Sequence, residues 1–250
     1  MEALETRFIR LTGGVGEIVH QRIEKRFPSD SFVEMMQRLG GIDTGLLPYD
    51  CICMKEGKYE EGGRLGNPGV AYRLHVCAER PHILHFRFQG LDVGERGEHG
   101  EDKKIRVFAL AMPWLLTFVL YNNDGLAQVR LVAVLDEGGL SQRGLDTELY
   151  QIPLPNLSSN TGIFCLGEFK MDSSKPFWER TNLVRDYIWE SVWNNDLFPN
   201  LETSARPIPN IRSLKHWAEE TNQVGLSFWR SLKLQPLAWT LGKLIEEVTT

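Results

Sequence analysis

The sequence predicts an α+β fold in which an antiparallel β-meander sheet is flanked by helices. Two patterns carry this prediction. Short apolar runs, separated by turns with Gly or Pro, fill much of residues 46–135, as expected for strands. After Cys165 the apolar residues recur at helical spacing instead. Because strands come first and helices follow, the order favours an antiparallel sheet over parallel βαβ units.

The N-terminal region is predicted to be partly helical. Apolar positions within residues 1–27 suit a helix that is broken at Gly13-Gly14. Ser31-x-x-Glu34 has the form of a capping box and precedes a helical face that can end at Gly40-Gly41. We therefore expect a second, short helix between these two signals.

The middle of the chain contains strand-like runs at residues 70–76 and 83–88. Residues 90–104 follow, with four glycines and mixed charges, which predicts an exposed loop. We place a boundary there. It divides the chain into an N-terminal helical and β-rich extension, residues 1–100, and a domain with C-terminal helices, residues 101–250.

A hairpin is predicted directly after this boundary. Apolar runs at 112–120 and 126–135 flank Asn122-Asn123-Asp124-Gly125, and Asp-Gly is a strong hairpin signal because both residues tolerate positive φ. A further strand should end near Ile152. The clearest helix is expected over about 183–197, with Leu183, Val184, Tyr187, Ile188 and Val192 on one face.

Composition narrows the classes of partner. The formal net charge of −5 and the absence of a long basic run argue against nucleic acid or anionic lipid as a partner. No signal peptide or membrane-spanning run is evident, so we expect a soluble, cytoplasmic protein. Four cysteines in 250 residues are too few for a disulfide framework, and each must be judged by its surroundings.

The most informative stretch runs from Leu154 to Gly167 and reads LPNLSSNTGIFCLG. A Pro-Asn pair leads through a small polar turn with Gly162 to an apolar pair and then to Cys165-Leu166. Trp178, an amphipathic helix and Pro199-Asn200 follow in that order. This ordered set resembles the active-site region of ubiquitin-conjugating enzymes. The resemblance covers about residues 105–200.

Within that superfamily, the chain is similar to a divergent bacterial branch that includes the protein B family of the PRTRC plasmid systems. The likeness lies in Leu149-Tyr150 through Asn156, in Cys165-Leu166-Gly167, and in Leu154, which replaces the histidine common in the superfamily. It implies a ubiquitin-conjugating-enzyme-like core with an N-terminal extension. It also implies neighbours of three kinds in a plasmid-associated or antiphage defence operon: a ubiquitin-like protein, a ThiF-type activating enzyme and a JAB-type protease.

The resemblance implies a transferase in which Cys165 carries the ubiquitin-like protein as a thioester before passing it to an amine. A cysteine thiolate is intrinsically nucleophilic, so the motif itself needs no base. Asn156 is suited to stabilise the oxyanion, because its amide donates hydrogen bonds without titrating; it can equally order the loop. We expect Cys165 on an exposed loop, at the mouth of a shallow groove, before a helix that begins after Trp178. We expect no cofactor and no metal.

Other interpretations of these residues stay open at this point. Cys165 can be a buried apolar residue, and the chain can be a non-catalytic adaptor or a plasmid or phage assembly protein. Four potential zinc ligands occur at Cys51, Cys53, His75 and Cys77, whereas strand alternation separates His82 from His85. Gly13-Gly14-x-Gly16 is a weak phosphate-binding pattern that requires a following helix.

Overall fold

The computed structural model describes most of the chain in ten segments. For residues 8–12, 15–19 and 23–28 it describes the backbone only. Side chains are described for residues 51–59, 69–90, 104–123, 125–136, 144–158, 160–194 and 210–249. The predicted helix between Ser31 and Gly40-Gly41, most of the loop at 90–104 and the Pro199-Asn200 pair lie outside these segments.

The described elements follow one another as strands first and helices later, with one late strand. The strands are β1 Phe8–Thr12, β2 Val15–Val19, β3 Ile23–Pro28, β4 Cys51–Lys58, β5 Ala71–Glu79, β6 His82–Gln89, β7 Ile105–Met112, β8 Trp114–Asn122, β9 Gly125–Val134, β10 Glu148–Tyr150 and β11 Pro236–Thr240. The helices are α1 Phe177–Glu190, α2 Leu214–Val224 and α3 Leu241–Thr249, with 3-10 turns at Gly144–Asp146 and Gly225–Ser231.

The largest sheet has six strands in the order β11-β10-β9-β8-β5-β4, and every pairing in it is antiparallel. Strands β6 and β7 form a separate antiparallel pair, and β1, β2 and β3 form a three-stranded antiparallel sheet. The predicted α+β class with an antiparallel sheet is therefore confirmed. The boundary predicted near residue 100 falls between strands that pair with each other, β5 with β8 and β6 with β7.

The predicted helix within residues 1–27 is wrong where the structure describes this region, because residues 8–12, 15–19 and 23–28 form β1, β2 and β3. Thr12 pairs with Val15, so only Gly13-Gly14 separates the first two strands. A two-residue glycine connection between runs rich in Ile and Val suits a hairpin better than a broken helix. The phosphate-binding pattern also loses its helix, since Gly16 lies inside β2.

The predicted hairpin at residues 122–125 is confirmed. Asn122 pairs with Gly125 across the turn between β8 and β9, and Asn123 has a φ of 49°. Asparagine is among the residues that adopt this left-handed conformation most readily. The local turn chemistry therefore fixes the register of the two central strands.

Both faces of the six-stranded sheet are buried, which explains why its central strands are almost continuously apolar. One face of β8, including Val119 and Tyr121, packs into a core with α1, α2 and the β6-β7 pair. The other face, including Phe118 and Leu120, packs into a second core with α3. Successive side chains of a strand point to opposite faces, so one strand serves both cores.

Helix α1 packs on the first of these cores through Val184 and Ile188, both of which are fully buried. The predicted face is partly wrong, because Leu183 is 36% exposed. The helix also begins at Phe177 and ends at Glu190, so Trp178 lies within it and Val192 lies beyond it. The predicted C-terminal helices are α2 and α3, and β11 adds an edge strand beside β10.

Candidate functional site

Cys165 ends a short hairpin-like segment that follows β10. The Ser158 N–H donates to the Ile163 carbonyl, and the Cys165 N–H donates to the Asn156 carbonyl, both at 2.8 Å. These two bonds frame the antiparallel bridge between Leu157 and Phe164. The predicted polar turn from Ser158 to Gly162 is closed by a 3.0 Å hydrogen bond from the Gly162 N–H to the Ser158 carbonyl. Cys165 is thus tied by its backbone to the predicted Asn156.

The same segment is attached to the sheet on its other side. The Phe164 N–H donates to the Val129 carbonyl at 2.9 Å, and the Leu131 N–H donates to the Gly162 carbonyl at 2.8 Å. Residues 162–164 therefore lie between β9 and residues 156–158, as a short central strand would. This pairing holds the residue before Cys165 against β9, an interior strand of the six-stranded sheet.

Gly162 is required by the close approach of the segment to β9. Its φ is +67°, and a Cβ at this position would lie 2.7 Å from the Leu131 carbonyl oxygen and 3.0 Å from Val132 Cγ1. A side chain here would be strained by its backbone conformation and would collide with the sheet. The glycine predicted as part of a small polar turn is therefore a packing requirement.

Aromatic residues anchor the segment from below. Phe164 meets Trp193 edge to face, with ring centroids 4.9 Å apart, and Trp193 also contacts Phe86 and stacks on Trp189. The Trp193 side chain is buried, and its backbone N–H donates to the Arg87 carbonyl of β6. Edge-to-face aromatic contacts stabilise a fold by roughly 0.5–1.5 kcal/mol beyond the contribution of the apolar area that they bury. Trp193 therefore joins the loop to β6, a role the sequence analysis did not assign.

Asn156 holds the backbone of this segment in place, in addition to the chemical role predicted for its side chain. Its φ is +58°, which asparagine tolerates better than most residues, and its carbonyl accepts the Cys165 N–H. Its Oδ1 accepts a longer bond of 3.4 Å from the Asn194 N–H. The Oδ1 of Asn156 is therefore occupied as an acceptor, and the side-chain amide keeps its Nδ2 hydrogens as donors.

Cys165 itself is exposed, as predicted. Of the other cysteines, Cys51 is partly buried, while Cys53 and Cys77 are buried. Burial raises the pKa of the Cys53 thiol to about 12, so that side chain is protonated at neutral pH. Leu166, next to Cys165, is held through its carbonyl, which accepts a 3.0 Å bond from the Tyr187 hydroxyl of α1. The Cys165 thiol is therefore accessible to solvent while the backbone on both sides of it is held in place.

The four potential zinc ligands named from the sequence do not come together in one site. Cys53 packs in the core beneath α3, whereas His75 points towards α1 on the opposite face of the sheet. Among the residues that the structure describes, no group of three or more His, Cys, Asp or Glu side chains could hold a metal ion. His82 and His85 point to different faces of β6, with His82 bonded to the Arg80 carbonyl.

A buried polar network beneath α1 has no counterpart in the sequence analysis. Thr181 Oγ1 lies 2.7 Å from His75 Nδ1 and 2.9 Å from the Tyr121 hydroxyl. Burial lowers the pKa of His75 to about 3 and raises that of Tyr121. His75 is therefore neutral at physiological pH, and the network ties α1 to β5 and β8 without net charge.

The described part of the chain contains no helix long and apolar enough to cross a membrane. Comparison with protein-family models, with curated proteins and with solved structures finds no match.

Proposed function

We propose that this protein is a ubiquitin-like-protein conjugating enzyme with a ubiquitin-conjugating-enzyme-like core, in which Cys165 accepts the cargo as a thioester. The observation that carries the proposal is the placement of Cys165. It is the exposed one of the four cysteines, and its backbone is fixed to Asn156 within the very segment that resembles the family motif. The cytoplasm, where thiols stay reduced, is the compartment this chemistry needs.

The proposed reaction has two steps. The Cys165 thiolate attacks the thioester carbonyl carbon of the cargo on a ThiF-type activating enzyme, and the activating enzyme's thiolate leaves. An amine then attacks the new thioester, the Cys165 thiolate leaves, and an amide forms as the amine nitrogen loses a proton, which the thiolate or solvent takes up. A JAB-type protease from the same operon would hydrolyse such an amide.

Asn156 is proposed to support the second step. The oxygen of the tetrahedral intermediate becomes an anion, and Asn156 can donate to it from Nδ2 while its Oδ1 accepts from the Asn194 N–H. Losing one such donor typically slows a reaction by about 100-fold to 1,000-fold. The same residue also holds the Cys165 backbone, so the two contributions must be separated by experiment.

The first experiment tests charging. The full-length protein is incubated with its ubiquitin-like protein, its activating enzyme and ATP, and the products are separated without reducing agent. A product sensitive to thiol reductant should form with the wild type, disappear with Cys165→Ala and persist as a more stable oxyester with Cys165→Ser. Cys51→Ser serves as the matched control, because it removes a partly buried thiol far from the motif in sequence. Charging of Cys165→Ala would refute the assignment.

The second experiment separates the roles of Asn156. Asn156→Asp keeps an oxygen for the Asn194 N–H and tolerates positive φ, but it removes the donor hydrogens. Asn156→Gly keeps only the backbone freedom. If the donor matters, both variants should charge normally and discharge to an amine about 100-fold more slowly. Normal discharge by the Asp variant would assign Asn156 to the loop alone.

A non-catalytic adaptor with the same fold is the second candidate function. It is favoured by Leu154, which is fully buried where the family has a histidine, and by the structural bonds that already occupy Asn156. An adaptor would bind the ubiquitin-like protein or an operon partner equally well in the wild type and Cys165→Ala, with no thioester in either. Titration calorimetry with both proteins, run beside the charging assay, distinguishes the two functions.

A further inference from the structure

We propose that Cys51 and Cys77 form a reversible disulfide when the protein meets a peroxide. Cys51 is the first residue of β4, and Cys77 lies directly opposite it on β5. Opposed residues of an antiparallel pair have Cα atoms about 4.5–5.5 Å apart, which falls within the range that disulfides span. The proposal concerns a modification site and does not depend on the conjugating activity proposed for Cys165.

A β-bulge creates this pairing. From Cys53 to Lys58, β4 follows one register with β5, in which Cys53 faces Val76 and Met54 faces His75. Continued regularly, that register would place Cys51 opposite Ala78, on the same face as Cys53. The register instead shifts between Cys51 and Cys53, and Cys51 comes to face Cys77. A shift of one residue moves a side chain to the other face of a sheet, so the bulge brings together two thiols that alternation would separate.

The two side chains are neighbours across the β4-β5 pair. The Cys51 thiol lies 3.3 Å from the Cys53 carbonyl oxygen, to which it donates, and its proximity, together with burial, raises the pKa of the Cys77 thiol. Cys53 cannot compete for Cys77, because its own side chain packs in the core beneath α3. The partner of Cys51 is therefore fixed by the fold rather than by random encounter.

The two thiols differ in exposure, and this difference indicates which of them the peroxide oxidises first. Cys51 is partly accessible and Cys77 is fully buried, so a small peroxide reaches Cys51 first. The Cys51 sulfur attacks one peroxide oxygen, giving a sulfenic acid and one molecule of water or alcohol. The Cys77 sulfur then attacks the Cys51 sulfur, the S–S bond forms and water leaves. Two thiols are oxidised by two electrons, and one peroxide O–O bond is reduced.

The test uses the full chain with Cys165→Ser, so that the exposed thiol cannot form bridges between molecules. The protein is treated with hydrogen peroxide, digested without reduction and analysed by mass spectrometry. A peptide pair joining Cys51 to Cys77 and lacking two hydrogen atoms should dominate and should vanish on treatment with dithiothreitol. Oxidation should also raise the Tm by roughly 6–12 °C, because the bridge closes a loop in the unfolded chain.

Two substitutions in the same background complete the test. Cys51→Ser should abolish both the cross-linked peptide and the Tm increase, while Cys53→Ala should retain them. Circular dichroism checks that each variant is folded, and the peptide map of the protein carrying only Cys165→Ser remains decisive if one is not. A Cys51–Cys53 bridge, oxidation of Cys51 to sulfinic acid without a bridge, or unreacted Cys51 and Cys77 after peroxide has oxidised Cys165 in the wild type would each overturn the proposal.

Discussion

Replacing Gly162 by alanine should destabilise the protein and loosen the Cys165 segment. The substitution acts through two separable effects. Alanine at a φ of +67° is strained by roughly 1–2 kcal/mol relative to glycine. The new Cβ would also lie 2.7 Å from the Leu131 carbonyl oxygen, so the segment must move away from β9.

That movement stretches the 2.8 Å bond from the Leu131 N–H to the Gly162 carbonyl. Relieving a buried overlap typically costs about 1–3 kcal/mol, and the hydrogen bond accounts for about 1 kcal/mol of this. The free energy of unfolding should therefore fall by roughly 2–5 kcal/mol, measured by urea denaturation. The Cys165 thiol, displaced with the segment, should also react with a thiol reagent at a changed rate.

Gly167 provides a matched control. Its φ is +55°, but a Cβ there would meet nothing within 4 Å. Gly167→Ala should therefore show the conformational penalty alone, roughly 1–2 kcal/mol. The difference between the two variants measures the contact with β9. Equal losses of stability would show that residues 162–164 are not held against the sheet, and the account of how Cys165 is positioned would fail.

Two further predictions concern α1 and its attachment to the sheet. Ile188→Ala should lower the free energy of unfolding by about 2–5 kcal/mol, because Ile188 is fully buried. Leu183→Ala should change it by less than about 0.5 kcal/mol, because Leu183 is exposed. Similar urea midpoints for the two variants would contradict the observed orientation of α1. Between pH 7 and pH 5 the free energy of unfolding should fall by about 2 kcal/mol through His75. The folded pKa of His75, about 3, lies below the unfolded value of about 6.5, so the unfolded chain binds the extra proton in this range. The contribution of His75 to the free energy of unfolding is therefore present above pH 6.5 and is lost as the pH falls towards 3. Urea denaturation at several pH values should show a smaller pH dependence for His75→Gln than for the wild type. The same dependence of the free energy of unfolding on pH in both proteins would contradict a buried, neutral His75.

Local signals in the sequence predicted local structure well. The turn at residues 122–125 depends on residues that tolerate positive φ, and the structure has the hairpin there. Gly13-Gly14 misled because the apolar residues around it fit both a helix and a strand pattern in short runs. The pairing of β1 with β2 favours the strand pattern over the helix pattern. The choice between a helical period of about 3.6 residues and a strand period of 2 therefore changed the whole N-terminal prediction.

The exposed thiol of Cys165 was predictable from its polar turn, but the means of holding it was not. The hydrogen bonds to Val129 and Leu131 and the contact with Trp193 join positions far apart in the sequence. No pattern of hydrophobic spacing encodes such partners. The exposure of Leu183 was missed for a related reason, because periodicity gives the width of an apolar face but not the direction from which the sheet meets it.

The aromatic anchor of the Cys165 segment also determines when the site can first exist during synthesis. Trp193 leaves the ribosome 28 residues after Cys165, and β11, which completes the edge beside β10, comes later still. Contacts between distant positions form only after their loop-closure entropy has been overcome. A nascent chain that already displays Cys165 therefore has its thiol on a segment that lacks the contact with Trp193, and the complete packing around the proposed site forms only after Trp193 has joined the fold.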